Sequence, residues 1–387
     1  METYKLSDLC VILDAKRKPL SALQRAKKQG IYPYYGAQGI IDHLDDYLLD
    51  GEYLLVAEDG ANLETRNQPI ANIAKGKIWV NNHAHVLGSN GKCPLNLLGF
   101  ILNNMNISPY VTGCAQPKLN QENLRNIEIE LPSHIDSIAS ILSSLDRKIE
   151  LNNKINADLE EMAQAIFKNW FVDFEPFKDG KFVDSELGMI PEGWKVGRLD
   201  EIADVVGGST PSKAKPEYYT QKGIAWLTPK DLSNHPAVYT SRGEIDITEE
   251  GYNSTSTKLM PKGTILFTSR APIGYISIAQ NDICTNQGFK SLVPKKAGTC
   301  FLYCFLKYVT PEIENKSTGS TFKEASGSLM KSLQVLMPEQ KVFEDFETIV
   351  SPLFARIEFL EKESSRLSLL RDTLLPRLMS GELEVPE

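Results

Sequence analysis

The residues that could carry chemistry in this sequence do not form a catalytic set. Segment 207–213 (GGSTPSK) has the glycines of a phosphate-binding loop, but it lacks the spaced glycine and the Gly-Lys-Ser/Thr ending that such loops use. His83 and His85 alternate along a predicted strand and therefore share a face. No third ligand follows at a metal-binding spacing. We therefore expect no catalytic residue, no nucleotide site and no metal site.

Several other functional classes are excluded in the same way. Segment 67–70 (NQPI) is not the Asn/Asp-Pro-Pro-aromatic loop with which amino-methyltransferases hold a flipped base. The six cysteines show neither a CxxC pair nor a Cys/His ligand spacing, so reduced thiols are expected. No apolar run approaches the length of a membrane span, and the N-terminus lacks a signal-peptide core. The sequence indicates a cytoplasmic binding and positioning protein.

The chain contains an internal repeat of about 200 residues, far longer than the period of about 20 to 50 residues that solenoids use. Segments 112–132 and 318–338 both begin with Thr-Gly and end with proline, and their apolar residues coincide, as in Leu124 with Met330 and Ile129 with Val335. Upstream, segment 4–6 matches segment 194–196 as an opening strand. The repeat predicts a duplicated domain.

Each globular copy is predicted to be α+β. Short β-rich runs alternate with glycine and proline turns, and short helices are predicted over 94–105 and 299–308. The fold class is therefore two tandem α/β domains, each with a twisted or curled sheet. Any other duplicated β-rich domain remains an alternative.

A long helix is predicted after each copy. Apolar positions alternate in steps of four and three residues from Ile138 to Trp170 and from Phe346 to Leu378, which is coiled-coil patterning. Such a helix of about 33 residues is about 50 Å long, more than one small domain can cover. We expect an antiparallel pair with pseudo-twofold symmetry. The alternative is that each helix lies on its own domain. The predicted seam residues are Leu145, Ile149, Asn156, Leu159, Ile166, Leu353, Ile357, Leu360, Ser364, Leu367 and Leu374.

Charge is distributed unevenly along the chain, whose net charge is −8. Residues 1–132 carry a net charge of −1 and residues 193–338 a net charge of +4, whereas residues 133–192 carry −6 and residues 339–387 carry −5. The acidity therefore lies in the helical segments. DNA binding needs local positive surface rather than a positive total, and this distribution permits it.

Several segments together resemble the specificity subunits of type I restriction–modification systems. They are 185–196 (SELGMIPEGWKV), 207–212 (GGSTPS), 270–274 (RAPIG), 285–289 (TNQGF) and the closing segment 374–383 (LLPRLMSGEL). The Thr-Gly…Leu…Pro pattern at the end of both copies adds to the resemblance, which covers nearly the whole chain. The first copy diverges, with 58–60 (EDG) where the second has 270–272 (RAP).

The resemblance implies two target-recognition domains at 1–132 and 193–338, a central helix at 133–176, a linker at 177–192 and a C-terminal helix at 339–387. It implies that each domain reads one half of a bipartite site in double-stranded DNA, and that the helices set the spacing and dock two methyltransferase subunits. Restriction subunits complete such complexes. S-adenosylmethionine, ATP and Mg are then expected on the partners, and no cofactor on this chain.

Candidate DNA-binding residues lie where basic and aromatic side chains share a segment. Lysine suits phosphate contacts, whereas arginine and amides suit base readout. In the first copy the candidates are Lys16, Arg17, Lys18, Arg25, Lys27, Lys28, Tyr34, Tyr35 and Gln38. In the second they are Lys213, Lys215, Tyr218, Tyr219, Lys230, Arg270, Gln287 and Lys323.

Two other function classes remain open. One is a standalone nuclease or methyltransferase with degenerate motifs, which binding of S-adenosylmethionine by the pure chain would reveal. The other is a scaffold whose duplicated domains bind proteins rather than DNA. Salt-sensitive DNA binding by an assembled complex distinguishes DNA recognition from a scaffold.

Overall fold

The computed structural model describes residues 1–113, 116–270, 272–317 and 323–383. It divides into two compact units: unit 1 comprises Met1–Glu150 and Ser365–Glu387, and unit 2 comprises Leu151–Ser364. Each unit contains one globular copy together with a part of each long helix. Thr318, Gly319 and Ala271, which belong to sequence motifs named above, lie outside the described residues.

Unit 1 is built on a six-stranded sheet with strand order β2-β7-β5-β6-β3-β4, in which only β3 and β6 are paired in parallel. Its strands are β1 (Glu2–Lys5), β2 (Cys10–Ile12), β3 (Gln29–Gly36), β4 (Gly39–Leu44), β5 (Leu49–Ala57), β6 (Ala71–Val80), β7 (Ala84–Ser89) and β8 (Glu128–Leu131). The helices that begin in this unit are α1 (Leu6–Leu9), α2 (Ala22–Ala26), α3 (Asn62–Thr65), α4 (Leu95–Asn104), α5 (Gln121–Arg125) and α6 (Ile135–Phe171).

Unit 2 contains a five-stranded sheet with strand order β12-β20-β17-β18-β15 and several two-stranded pairs. Its strands are β9 (Phe182–Ser185), β10 (Gly188–Pro191), β11 (Lys195–Arg198), β12 (Ala203–Gly207), β13 (Tyr219–Thr220), β14 (Trp226–Leu227), β15 (Tyr239–Thr240), β16 (Asp246–Ile247), β17 (Ile265–Phe267), β18 (Ile276–Ala279), β19 (Cys284–Thr285), β20 (Lys290–Pro294) and β21 (Gln334–Met337). The helices that begin in this unit are α7 (Leu199–Ile202), α8 (Pro229–Asn234), α9 (Glu249–Asn253), α10 (Thr299–Lys316), α11 (Gly327–Ser332) and α12 (Gln340–Met379).

The repeated segment is a capped helix followed by a strand. Asn120 and Ser326 cap α5 and α11, and the side chain of each accepts a hydrogen bond from the backbone N–H three residues later. β8 then pairs with the opening strand β1, and β21 pairs with β11. The tandem α/β fold class predicted from the repeat is confirmed.

The alignment of the opening strands was wrong by three residues. Tyr4 lies opposite Ile129. Gly197 lies opposite Val335, which is the counterpart of Ile129 in the second copy. Tyr4 is therefore equivalent to Gly197 rather than to Trp194. Short strands with little periodicity hide such a shift, whereas backbone pairing reveals it.

Both predicted short helices and both long helices are present. α4 matches its predicted range closely, but α10 continues past residue 308 to Lys316, with Pro311 inside it. The long helices α6 and α12 have 37 and 40 residues. The compact units divide both helices, α6 after Glu150 and α12 after Ser364.

In unit 1 the core lies between the sheet, α4 and the ends of the two long helices. Ile138 and Leu142 of α6 pack in the same apolar cluster as Leu375 and Leu378 of α12, and all four are almost fully buried. Asp146 of α6 forms an ion pair with Arg371 of α12 at 2.6 Å. Contacts that advance along α6 thus recede along α12, so the segments are antiparallel in this unit.

In unit 2 an aromatic cluster joins both helices to α10. The ring of Phe171 lies 4.9 Å from Phe301 of α10 and 5.2 Å from Phe346 of α12, measured between centroids. Phe167 lies 6.2 Å from Phe346, while Asn152, further back along α6, donates to Glu363. The helix segments are therefore antiparallel in this unit as well.

The aromatic cluster gives the first prediction. Phe346→Ala removes a fully buried ring and should lower the free energy of unfolding of unit 2 by about 3–5 kcal/mol, as measured by urea denaturation. Phe359→Ala on the same helix is the control, because its ring is 55% exposed and its loss should change stability by about 0.5 kcal/mol or less. Equal effects of the two substitutions would contradict this account of the core.

Candidate nucleic-acid interface

In unit 1, Lys77 lies against two tyrosine rings on the exposed side of β6. Its Nζ is 4.7 Å from the ring centroid of Tyr47 and 5.8 Å from that of Tyr32. The two rings meet edge to face with centroids 5.2 Å apart. This group presents a positive charge beside aromatic faces, which suits a phosphate with a neighbouring base. Sequence reasoning missed it, although the alternation of Lys75 and Lys77 on one face of a strand was an available signal.

Tyr34 is a core residue rather than the surface residue we predicted. It is 1% exposed, and its hydroxyl accepts a hydrogen bond from the backbone N–H of Leu20 at 2.9 Å. Arg25 lies over its ring at 5.5 Å and donates to Asp42 at 2.8 Å. The strand alternation that exposes Tyr35 partly also directs Tyr34 inward, and this burial excludes Tyr34 from direct base contact.

Arg17 is also committed inside unit 1. Its guanidinium is 2.6 Å from a carboxylate oxygen of Glu58 and 3.3 Å from one of Asp14, and it donates to the carbonyl of Ala84 at 2.9 Å. The side chain is 15% exposed. A guanidinium held in this way is a structural ion pair rather than a base-reading group.

Asp14, Glu58 and His85 form the one group of potential metal ligands among the described residues, with ligand atoms within 4.8 Å of one another. His85 is fully buried. Its Nδ1 lies 2.6 Å from Asp14 Oδ2, and its Nε2 donates to the carbonyl of Leu119 at 2.7 Å. Both ring nitrogens are therefore engaged by oxygens of the protein. With Arg17 also beside Glu58, the group fits an internal ion-pair network better than a cation site.

Asp14 is the anionic centre of this network. Burial would raise its pKa, but the hydrogen bond and charge of His85, the backbone N–H of Val86 and the charge of Arg17 outweigh burial and lower the pKa below the ordinary 3.8. A lowered pKa means that the folded state favours the carboxylate more than the unfolded state does.

The other candidates in unit 1 remain on or near the surface. Lys28 pairs with Asp45 at 3.6 Å and lies 5.7 Å from the ring centroid of Trp79. Of the remaining candidates, Tyr35 is half-buried, and those that are exposed are Lys16, Lys18, Lys27 and Gln38. Their proposed contacts with DNA remain predictions.

In unit 2, Lys215 and Tyr218 form a basic-aromatic pair. The ammonium lies 4.9 Å from the ring centroid and donates to the tyrosine hydroxyl at 2.9 Å. Tyr219 is half-buried and donates to the carbonyl of Pro211 at 2.6 Å. Lys213 is exposed on the same loop. The loop thus brings together four of the predicted residues, and only Tyr219 is tied to the backbone.

The remaining candidates in unit 2 lie in ion pairs or hydrogen bonds. Arg270 contacts Glu324 at 3.0 Å, and Lys290 contacts the same carboxylate at 3.5 Å. Gln287 is exposed and accepts a hydrogen bond from the Thr210 hydroxyl. Lys230 pairs with Glu244 at 3.5 Å. Lys323 donates to the carbonyl of Glu314 at 3.5 Å.

The helix seam contains a polar contact centred on Asn152. In unit 2, the fully buried Asn152 donates to Glu363 at 2.7 Å and to the Ser364 hydroxyl at 3.3 Å. Of the predicted seam residues, Asn156, Ile357 and Leu360 are buried, whereas Leu145, Ile149, Leu159, Ile166, Leu353, Ser364, Leu367 and Leu374 are half-buried.

The cysteines of the described residues do not provide nucleophiles. Burial raises the pKa of Cys10 to about 11, that of Cys93 to about 12 and that of Cys284 to about 12. Because the thiolate is the reactive form, such groups are inert near neutral pH. No described helix is long and apolar enough to cross a membrane.

Comparison with protein families finds a match over most of the chain. The family described as type I restriction modification DNA specificity domain matches residues 1–161 and again residues 191–368. The two matched segments contain the two globular copies. Each match also extends into the long helix that follows its copy.

Individual relatives show the same similarity. The MjaIX specificity subunit of Methanocaldococcus jannaschii is 40% identical over 190 residues, which are 48% of this chain and 44% of that protein. The HindI specificity subunit of Haemophilus influenzae is 26% identical over 330 residues, 69% of this chain and 71% of that protein. The chain thus matches less than half of the length of the first of these relatives.

Among solved structures, a type I restriction-modification S subunit from M. genitalium is similar in fold. The comparison covers 100% of this chain and 96% of that one, with a TM-score of 0.56 and 18% sequence identity. At this identity the likeness concerns the fold alone.

The ion-pair network of unit 1 gives the second prediction. Because the pKa of Asp14 is lowered, its stabilising contribution is present above about pH 4 and is lost as the pH falls through the lowered value. Asp14→Asn should therefore cost about 1–3 kcal/mol at pH 7 and flatten the loss of stability in acid. Urea denaturation between pH 2 and 7, in which near-ultraviolet circular dichroism monitors the unfolding of unit 1, measures both effects. Asp45→Asn, whose side chain is 53% exposed, should leave the acid profile unchanged. An unaltered profile in Asp14→Asn would show that the network does not stabilise the fold.

Proposed function

This chain belongs to the type I restriction modification DNA specificity family, and we propose that it is the DNA-reading subunit of a methyltransferase complex. Each globular copy binds one half of a bipartite site in double-stranded DNA. The long helices act as a spacer between the two halves and dock two methyltransferase subunits. Restriction subunits complete the assembly.

The observation that carries this proposal is the duplication itself. Each unit combines one globular copy with two antiparallel helix segments, and both copies match one DNA specificity family. A protein that reads one continuous site needs only one such domain. Two related readers on one chain suit a site with two separate halves.

The distribution of charge supports a division of labour. The exposed Lys16, Lys18 and Lys27 lie in the first copy and Lys213 in the second, where they can neutralise phosphates. The segments that contain the long helices carry net charges of −6 and −5. Such acidic helices repel DNA and suit protein partners.

The chain itself is proposed to be non-catalytic and to bind no cofactor. S-adenosylmethionine, ATP and Mg belong to the chemistry of the partner subunits in this scheme. The raised pKa values of the buried thiols remove the cysteines named above as nucleophiles, and the ligand atoms around His85 are satisfied by neighbouring protein groups.

The experiment that tests the proposal assigns each half-site to its own domain. The chain is expressed with its methyltransferase subunits, and methylated adenines are mapped across a genome. Gln38→Ala should relax the motif in one half only, and Gln287→Ala in the other half only. Loss of a bidentate amide–base contact costs about 1–3 kcal/mol of discrimination, or roughly 5- to 150-fold.

The two glutamine variants serve as controls for each other, since both side chains are exposed. Relaxation of both halves by either variant would contradict independent reading. A wild-type complex that methylates no defined motif, and whose DNA affinity is insensitive to salt, would favour a protein-binding scaffold instead.

A further prediction concerns the isolated chain. Because its net charge is −8, the chain should bind a site-bearing duplex more weakly alone than with methyltransferase subunits, which supply further phosphate contacts. Titrations at several salt concentrations should give a steeper salt dependence for the complex, by about −0.9 in log–log slope for each added phosphate contact. Equal affinity and equal slope would contradict this prediction.

A further inference from the structure

In unit 2, a glutamate of the long helix α12 caps a helix of the second globular copy. Glu347 accepts hydrogen bonds from the backbone N–H groups of Phe301 at 2.8 Å and Cys300 at 3.4 Å. These residues lie in the first turn of α10, where N–H groups lack partners within the helix. The N-cap residue of α10 is Gly298, which has no side chain to fill this role. Any Cβ at that position would collide with the carboxyl group of Glu347.

A second glutamate of α12 holds the edge of the five-stranded sheet. Glu361 accepts hydrogen bonds from the backbone N–H groups of Val238 at 2.7 Å and Tyr239 at 3.0 Å, one at each carboxylate oxygen. Tyr239 begins β15, which lies at the edge of the sheet and pairs only with β18. A bidentate acceptor that faces two consecutive backbone groups fixes both the distance and the orientation of the strand.

The helix α6 adds a third carboxylate contact to the same domain. Glu160 accepts a hydrogen bond from the Tyr303 hydroxyl at 3.0 Å and pairs with Lys307 at 2.5 Å. Tyr303 and Lys307 lie one turn apart on α10. Three carboxylates from the two long helices thus hold α10 and β15 of the second copy.

Ionisation of the Glu361 carboxyl group is unfavourable in the folded chain. Its burial and the negative charges of Glu160 and Glu358 raise its pKa from 4.5 to about 7, although the N–H groups of Val238 and Tyr239 oppose this rise. A raised pKa means that ionisation costs folding free energy, so the contribution of Glu361 to stability is lost as the pH rises from about 4.5 through about 7. Ionisation of Glu361 is thus unfavourable for folding, while its two oxygens accept hydrogen bonds from two consecutive backbone N–H groups, and this combination fits a positioning role.

The first globular copy is attached to its helix segments by different contacts. In unit 1, Asn96 of α4 donates to the Ser143 hydroxyl of α6, and Arg371 of α12 lies 5.9 Å from the ring centroid of Phe100. Asn96 also donates to the carbonyl of Ala139 at 3.5 Å, and the apolar packing of Ile138 and its neighbours adds to the attachment. Among the described residues, hydrogen bonds from backbone N–H groups of a globular copy to carboxylates of the long helices occur in the second copy.

We propose that Glu347 and Glu361 are positioning residues for the reading of the second half-site. By holding the start of α10 and the edge strand β15 on α12, they fix the second globular copy on the helix that carries it. A recognition domain held in one orientation accepts one spacer length, whereas a loosened domain accepts neighbouring lengths as well. This inference rests on the proposed function.

Hydrogen exchange on the purified full-length chain tests the attachment without any partner. Glu361→Gln keeps the size of the side chain but leaves one acceptor oxygen where the carboxylate has two. Of the amides of Val238 and Tyr239, the one that faces the new NH2 group should then exchange about tenfold faster, the change expected from loss of one hydrogen bond. Amides of β17 should keep their protection, and the unfolding midpoint at pH 8 should not fall. Glu361→Ala removes both acceptor oxygens, so both amides should exchange faster still in this variant.

Glu344→Gln provides the matched control. It changes the charge of the same helix by the same amount, but Glu344 is exposed, so exchange at 238–239 should not change. Unchanged exchange in both Glu361 variants would overturn the inference. Equal acceleration in β17 would also overturn it, because that result indicates general destabilisation rather than a loosened attachment.

Methylome mapping with the assembled complex then tests the consequence for DNA reading. The wild-type complex should methylate sites with one spacer length, whereas a chain with Glu347→Ala and Glu361→Ala should also methylate sites whose spacer differs by about one base pair. The bases of both half-sites should stay the same. If exchange at 238–239 is accelerated but the substituted chain still methylates sites of one unchanged spacer length, the role in spacing is refuted. A wild-type complex without a methylated motif would refute the proposed function, while exchange at 238–239 would still decide the attachment.

Discussion

The structure depends on how two very long helices bury their apolar stripes. A helix of 37 residues, such as α6, is about 55 Å long, and a globular copy of about 130 residues cannot cover it. The stripe must therefore be covered by another helix along much of its length. α12 supplies that cover within each unit, through Leu375 and Leu378 in unit 1 and through Phe346 and Phe354 in unit 2. Each globular copy then packs on a helix pair rather than on a single helix.

Periodic and repeated features were predictable from the sequence, whereas side-chain partners were not. The steps of four and three residues from Ile138 revealed both long helices, and the coincidence of Leu124 with Met330 revealed the duplication. The three-residue error at Trp194 arose where a strand of four residues offers no periodicity to align. The extension of α10 through Pro311 was missed because proline normally ends a helix, although here tertiary packing of the preceding turns keeps it helical.

The candidate interface shows the same limit. A basic residue in the sequence is either a free surface charge or half of an ion pair, and only the fold decides between them. Arg17 is held by Asp14, which is close to it in the sequence, and by Glu58, which is distant in the sequence. Lys77 gains its two tyrosine neighbours through the folding of the sheet. Tyr34 and Tyr35 are adjacent in sequence, yet strand alternation buries the first and leaves the second half-exposed.

The discontinuous make-up of unit 1 dictates an order of events during synthesis. Residues Leu151–Ser364 complete unit 2 without any later segment, but unit 1 needs Ser365–Glu387. More than 200 residues separate Leu142 from Leu375 of the same apolar cluster, which is about 10 to 50 seconds of translation at about 5–20 residues per second. During that time the stripe of α6 in unit 1 is uncovered on the nascent chain. The first domain to be made is therefore the last to be finished.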